Sequence, residues 1–295
     1  MSSRSNPASP APWWLRALAR LPVPVFRAAG WVMAAGLLLL APRRRRVVMR
    51  NLALCFPQAS RWQRWRWTWE TFLHFSQSFV DRVWLWQGPP ERVRQRVEVH
   101  DPHGVLQQEA GLLLFVPHFY AMDAGWAKLT LDVPRRWWTF YQPQERPQID
   151  RWVRNGRKRF GSPRLVSRRE GVRPLLRGLK EGATVCLLPD MDLGARNSVF
   201  VPFFGIPAAT VTSLPRLAAA AEVPVAEMIC RMVPGGYRVE IGPVWQDFPL
   251  GDDEADARRM NAALEQHILT MPGQYHWLHR RFKTRPHGEA PLYDD

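Results

Sequence analysis

The apolar positions of this chain follow three rhythms. Residues 21–41, LPVPVFRAAGWVMAAGLLLLA, are almost continuously apolar, close to the roughly 20 residues that cross a bilayer as a helix. Arg27 and two early prolines, Pro22 and Pro24, interrupt that run. Further on, Trp62, Trp65, Trp69, Phe72, Ser76, Phe79, Val83 and Trp86 step by three and four. That spacing predicts one face of an amphipathic helix over 61–87, ended by Gly88-Pro89-Pro90.

From about residue 100 the rhythm changes again, to short apolar runs alternating with helical patterns. Gly111 to Val116 predicts a buried strand ended by Pro117, followed by a helix over 120–131. A strand from Trp137 to Tyr141 precedes a basic helix over 148–160, which ends at Gly161. Residues 171–181 predict a short helix closed by Gly182, and 183–188 a second buried strand. Residues 199–204 are apolar and extended, and Ser213 caps a helix over 214–222 with Pro215 in its first turn. Val223 to Met232 and Tyr237 to Ile241 predict further strands, and 253–271 a helix. The alternation predicts an α/β fold: a mixed, mostly parallel sheet flanked by helices, with an N-terminal membrane helix. In such sheets ligands gather at the C-terminal ends of the strands. The expected organisation is a flexible segment over 1–20, a membrane anchor with its basic flank over 21–46, and one large domain over 47–295.

Charge sharpens the picture. Lys and Arg total 41 against 26 acids, a formal net charge of +15, and there are 15 tryptophans. Excess positive charge predicts acidic partners, and tryptophan, with one wet edge, favours a membrane–water interface over nucleic acid. Arg43 to Arg46 follow the apolar run and predict that its C-terminal side is cytoplasmic, although Arg16 and Arg20 on the other flank blur the rule. No small-residue cleavage site follows the run, which argues against a signal peptide. Cys55, Cys186 and Cys230 lie far apart with no metal-ligand spacing, and read as reduced core residues. His276 and His279 are three apart without an evident third ligand, so no metal site is expected.

The chemistry centres on His118, at the C-terminal end of the strand over 111–116, with Asp123 five positions later. On one helix the two would diverge by about 140°, so contact requires His118 in the strand-to-helix turn and Asp123 in the first helical turn. Such a pair would hold the imidazole as a base toward a hydroxyl attacking an ester or thioester. No Ser or Cys adjoins it to serve as nucleophile, which favours direct transfer to an acceptor hydroxyl. The spacing alone is common by chance; it allows a catalytic pair without demanding one.

Ordered blocks extend the reading: NLALCFPQAS at 51–60, HFYAMD at 118–123, YQP at 141–143, RKRFG at 157–161, PDMDLGARNSVFVPFFGIPAAT at 189–210 and QYHWLHRRFKTRP at 274–286. With them the chain resembles the lipid A late acyltransferases of Gram-negative inner membranes, within the broader H-x-x-x-x-D/E acyltransferases. The resemblance covers nearly everything after residue 12. It implies acyl transfer from acyl carrier protein to a hydroxyl on a Kdo-bearing lipid A precursor, at the cytoplasmic side of the inner membrane, without metal or organic cofactor and without nucleic acid. Its rivals are a lysophospholipid or other glycolipid acceptor, and a membrane-bound binding protein without catalysis. Carried over by residue, the resemblance makes His118 the general base and Asp123 its partner. Arg157 or Arg159 matches the motif arginine near the donor or an acceptor phosphate. Asp190 and Asp192 match a D-x-D pair that orders the loop or braces an arginine, a capped turn before Gly194 being the plain alternative. Arg196 is a phosphate ligand or a solvated loop residue. Arg281, with Arg280, Lys283 and Arg285, forms a cluster for lipid phosphates or acidic carrier protein, or a solvated helix end. Two positions depart from the family pattern: Pro117 stands where many relatives have Asn or Gly, and Gln142 where they have Arg.

Overall fold

In the computed structural model, which describes residues 13–293, four helices open the chain: α1 (Trp13–Leu18), α2 (Val23–Leu40), α3 (Pro42–Cys55) and α4 (Arg61–Gln87). Residues 1–12 of the segment expected to be flexible lie outside the described residues, and residues 13–18 of it are helical. The arginine run continues as the first turns of α3. Ser60 caps α4 by accepting from the Gln63 amide, as a residue of its type does for the orphan donors of a helix start.

The remaining elements are α5 (Pro90–Arg96), β1 (Val97–His100), β2 (Leu112–Phe115), α6 (Met122–Asp132), β3 (Trp137–Tyr141), α7 (Pro147–Arg157), β4 (Arg164–Ser167), α8 (Arg173–Lys180), β5 (Thr184–Leu187), β6 (Ser198–Phe203), β7 (Ile206–Val211), α9 (Ser213–Ala221), β8 (Val225–Val233), β9 (Gly236–Val244) and α10 (Asp253–Thr270). Seven strands form one sheet in the order β1-β9-β8-β2-β5-β3-β4. Every pairing is parallel except the β8–β9 hairpin, so the expected mixed, mostly parallel α/β sheet is present. β6 and β7 form a separate antiparallel hairpin.

β2 and β5 lie at the centre and are buried throughout, as strands covered on both faces must be. Alternation sends successive side chains to opposite faces. Leu113, Phe115, Val185 and Leu187 face Leu175 and Leu179 of α8 and Leu214 and Leu217 of α9. Leu112, Leu114 and Cys186 face Ala124 and Ala127 of α6, with Trp84 and Trp86 of α4 behind them.

α4 departs from its expected single apolar stripe. Phe72, Ser76 and Trp86 are buried, but Trp62, Trp65 and Phe79 are exposed, while Thr68, Gln77, Asp81 and Trp84 are buried. The cause is geometric: α4 is packed on one side by α2 and on others by α6 and α7. One stripe cannot describe a helix covered on several sides.

Candidate active site

The central strand pair fixes the site. β2 and β5 run parallel with Phe115 opposite Leu187. Each strand then reaches a proline, Pro117 or Pro189, followed by His118 or Asp190. Three residues past a matched pair, the two side chains meet. Asp190 accepts from the His118 backbone amide through Oδ2 at 2.9 Å, and its Oδ1 lies 2.7 Å from His118 Nδ1. The carboxylate is buried and the imidazole partly exposed. Burial opposes ionisation of Asp190, but the His118 ring and its two hydrogen bonds outweigh it and hold the carboxyl at about 2. With Nδ1 committed to Asp190, the His118 proton sits on that side and Nε2 is the nitrogen left for a substrate.

A strap from the C-terminal part of the chain fixes His118 from the other side. Phe119 bridges Tyr275, the Tyr120 amide donates to the Gln274 carbonyl, and the His276 amide donates to the His118 carbonyl at 3.1 Å. The His276 ring lies 6.2 Å from the His118 ring. Burial, then the neighbouring His118 and His279, push its pKa down to about 3.

The expected His118–Asp123 contact is not made, and Asp190 takes that place. Asp123 lies in the first turn of α6, as expected, but binds two arginines. Arg157 Nε donates to Oδ1 at 3.0 Å and Arg82 Nε to Oδ2 at 2.9 Å. Burial again works against the charge, but the two guanidinium groups prevail and hold the carboxyl at about 2. Sequence reading missed Arg82; α4 also carries Arg61, Arg64 and Arg66, so nothing in the sequence singled it out.

A cavity of about 770 Å³ surrounds His118 and passes over the C-terminal edge of the sheet. On the α6 side it is lined by Val116, Met122, Trp126, Thr139, Cys186 and Met228, with Asp123 and Arg157. On the α8–α9 side it is lined by Val172, Leu176, Leu217 and Ala220, under the exposed Arg168, Arg196 and Arg216. Gln142 also lines it. Arg168 and Arg216 were not foreseen. Arg168 follows β4, a strand the sequence reading did not recognise, so its strand-end position was hidden.

The other expected residues separate cleanly. Arg157 lines the cavity, whereas Arg159 donates to the carbonyls of Leu85 and Gly88 and secures the end of α4. Asp192 touches no arginine among the described residues. It accepts from the Gly194 amide at 3.0 Å, the turn foreseen as the plain alternative, and from the amide and hydroxyl of Thr284 at 2.6 and 2.7 Å. The Asp192 amide donates to His279 Nε2 at 3.0 Å. Arg281 is neither at the cavity nor on a solvated helix end. It is buried, donates to the Ala209 carbonyl and the Thr210 hydroxyl, and lies over the Phe203 ring. There it joins the β6–β7 hairpin to the C-terminal strap.

The arrangement presents an oriented imidazole at a sheet edge, an apolar channel on either side of it, and arginines at its mouth. It suits proton removal from a hydroxyl while apolar chains occupy the channel. Sequence comparison supplies the family. The profile described as bacterial lipid A biosynthesis acyltransferase matches residues 12–284. The chain is 33% identical to the lipid A biosynthesis palmitoleoyltransferase of Escherichia coli (strain K12), over 93% of this chain and 90% of that protein. It is 33% identical to the lauroyltransferase of the same strain, over 95% and 92%. It is 30% identical to the myristoyltransferase of that strain, over 88% and 80%.

Proposed function

This chain belongs to the bacterial lipid A biosynthesis acyltransferase family, and on that premise we propose that it transfers a fatty acyl chain from acyl carrier protein to a hydroxyl of a Kdo-bearing lipid A precursor. The observation that carries the mechanism is the His118–Asp190 pair inside an apolar cavity. His118 Nε2 removes the proton of the acceptor hydroxyl as its oxygen attacks the thioester carbonyl. Asp190 holds the ring and stabilises the imidazolium that forms. Collapse of the tetrahedral intermediate breaks the C–S bond, and the imidazolium returns its proton to the leaving thiolate.

Asp123 acts at one remove in this scheme. It braces Arg157, which lines the cavity and is placed to bind donor carbonyl or acceptor phosphate by charge-assisted hydrogen bonds. Arg168, Arg196 and Arg216 at the mouth suit a phosphate-bearing, acidic donor or acceptor. The exposed apolar surface of α1 and α2, together with an acceptor that is a membrane lipid, supports attachment to the inner membrane, and the arginines that follow α2 favour its cytoplasmic face.

The test is direct. Purified protein is incubated with acyl carrier proteins of several chain lengths and Kdo-bearing precursor, and products are weighed by mass spectrometry. A gain of one acyl group supports the assignment. No gain on any lipid A precursor, with acylation of a lysophospholipid instead, overturns it.

A further inference from the structure

α2 is 18 residues long and apolar enough to cross a membrane by composition. At 1.5 Å per residue it is about 27 Å long, slightly short of a hydrocarbon core of roughly 30 Å. Its length matters less than where its ends are held.

At the N-terminal end, Arg92 of α5 donates to three successive carbonyls, those of Ala19, Arg20 and Leu21, at 2.6, 3.1 and 2.9 Å. At the C-terminal end, α3 turns directly back onto the catalytic body. Asn51 donates to the carbonyls of Trp277 and His279, both at 2.8 Å, and Arg44 to that of Leu278 at 3.2 Å. Along its length, Arg27 pairs with the buried Asp81 of α4 at 2.7 Å, and Gln77 donates to the Phe26 carbonyl at 3.0 Å. Asp81 also accepts from Tyr237 of the central sheet. Both ends and the inner face of α2 are therefore tied to one folded body. Crossing a bilayer would strip Asp81 of Arg27, its one cationic partner here, and Gln77 of the Phe26 carbonyl, and a buried charge that loses its counter-charge is strongly unfavourable.

The opposite face has no partner among the described residues. Val25, Ala28, Ala29, Val32, Ala35 and Leu39 are exposed at helical spacing without a polar residue among them, and only 28% of the helix is buried. Exposed Trp13 and Trp14 precede it, and exposed arginines stand at both ends, Arg16 and Arg20 before it, Arg43 and Arg46 after it. An apolar face framed by tryptophan and arginine matches one leaflet of an anionic bilayer, where rings sit at headgroup level and cations meet phosphates.

Building on the membrane attachment proposed above, we propose that α2 does not span the membrane but lies along it, its outer face immersed in one leaflet and both its ends on the side of the catalytic body. The chain is then monotopic, and the channel beside His118 opens from the same leaflet surface.

Sealed vesicles of both orientations from expressing cells test this. Single cysteines are placed before and after the helix by Arg16→Cys and Arg43→Cys, and on the catalytic body by Arg258→Cys. Native Cys55, Cys186 and Cys230 are buried and free. A membrane-impermeant maleimide should label all three sites in the same vesicle orientation. Labelling of the Arg16→Cys protein only in the opposite orientation to Arg258→Cys would overturn the in-plane placement while leaving attachment intact. Absence of the chain from the membrane fraction would instead overturn attachment itself. Separately, V32D/L39D should bind vesicles of phosphatidylethanolamine and phosphatidylglycerol at least about tenfold more weakly with its circular dichroism unchanged. Unaltered binding would overturn the outer face as the contact surface.

Discussion

Asp190 holds His118 at two points, its ring at 2.7 Å and its backbone amide at 2.9 Å, so that one carboxylate sets both the position of the residue and the orientation of its imidazole. An Asn at 190 would keep the shape but present an amide where an acceptor is needed. We expect His118→Ala to lower kcat about 10²-fold or more, and Asp190→Asn to do so on the same scale, with KM for the lipid acceptor little changed. Wild-type turnover by Asp190→Asn would remove the carboxylate from the mechanism.

Asp123→Asn should behave differently. It leaves Arg82 and Arg157 without the carboxylate they share, at a site where Asp123 is 7% exposed and the arginines about a fifth. Breaking a fully buried pair costs roughly 3–5 kcal/mol, and the partial exposure here places the expected loss at about 2 kcal/mol. Urea unfolding measures it. KM should rise through the displaced Arg157. A variant as stable as the parent would show that the two cations repel each other less than their geometry implies.

Acid should destabilise the fold in two windows. His276 and His279 are held at about 3 and 4 against an ordinary 6.5. Burial is the main cause in both, reinforced by His118 and His279 for the first and by Arg281 for the second. The unfolded chain takes these protons more readily, so stability is complete above about 6.5 and declines as pH falls toward 4. Asp123 and Asp190, held at about 2 against 3.8, contribute stability that is complete above about 4 and is lost as pH falls to 2. Urea midpoints between pH 7.5 and 4 should fall monotonically, and less steeply for His276→Gln. Parallel slopes for the two proteins would show that His276 is not the group responsible.

The buried lining of the α6-side channel sets the room for a chain. Cys186 and Met228 are almost wholly buried yet line the cavity. Met228→Ala should move the preferred donor to a longer acyl chain, and Cys186→Phe to a shorter one, read by mass spectrometry from a mixture of acyl carrier proteins. An unchanged product distribution in both would place the chain on the α8–α9 side.

Much of the scaffold was legible locally. The runs at 111–116 and 183–188 were readable as buried strands because both are short, apolar and ended by a proline, and His118 was readable as a strand-end residue. Its partner was not. Asp123 is five residues away in sequence and Asp190 seventy-two; only the order of strands across the sheet brings the second one close, and no local pattern encodes that order. Each strand end is legible as a place where ligands gather, but the β2–β5 register that joins them appears only in three dimensions. Arg281 failed for a related reason. Four basic residues in thirteen suggest a solvated cluster, whereas its burial depends on the β6–β7 hairpin folding over it. The arginine run and the aromatic helix were likewise visible as composition, while the clamps that fold α2 back onto the body involve Arg92 and Asn51, which no periodicity singles out.

The strap that supports His118 gives the site a place in time as well as in space. A ribosome that has delivered residue 270 has already supplied His118, Asp190 and the residues that line the cavity. It has not supplied Tyr275 and His276, which hold the backbone at 118–119, or Thr284, which fastens the loop carrying Asp190 through Asp192. The geometry around His118 and Asp190 is thus complete only when the stretch from 274 to 284 has emerged and threaded into place.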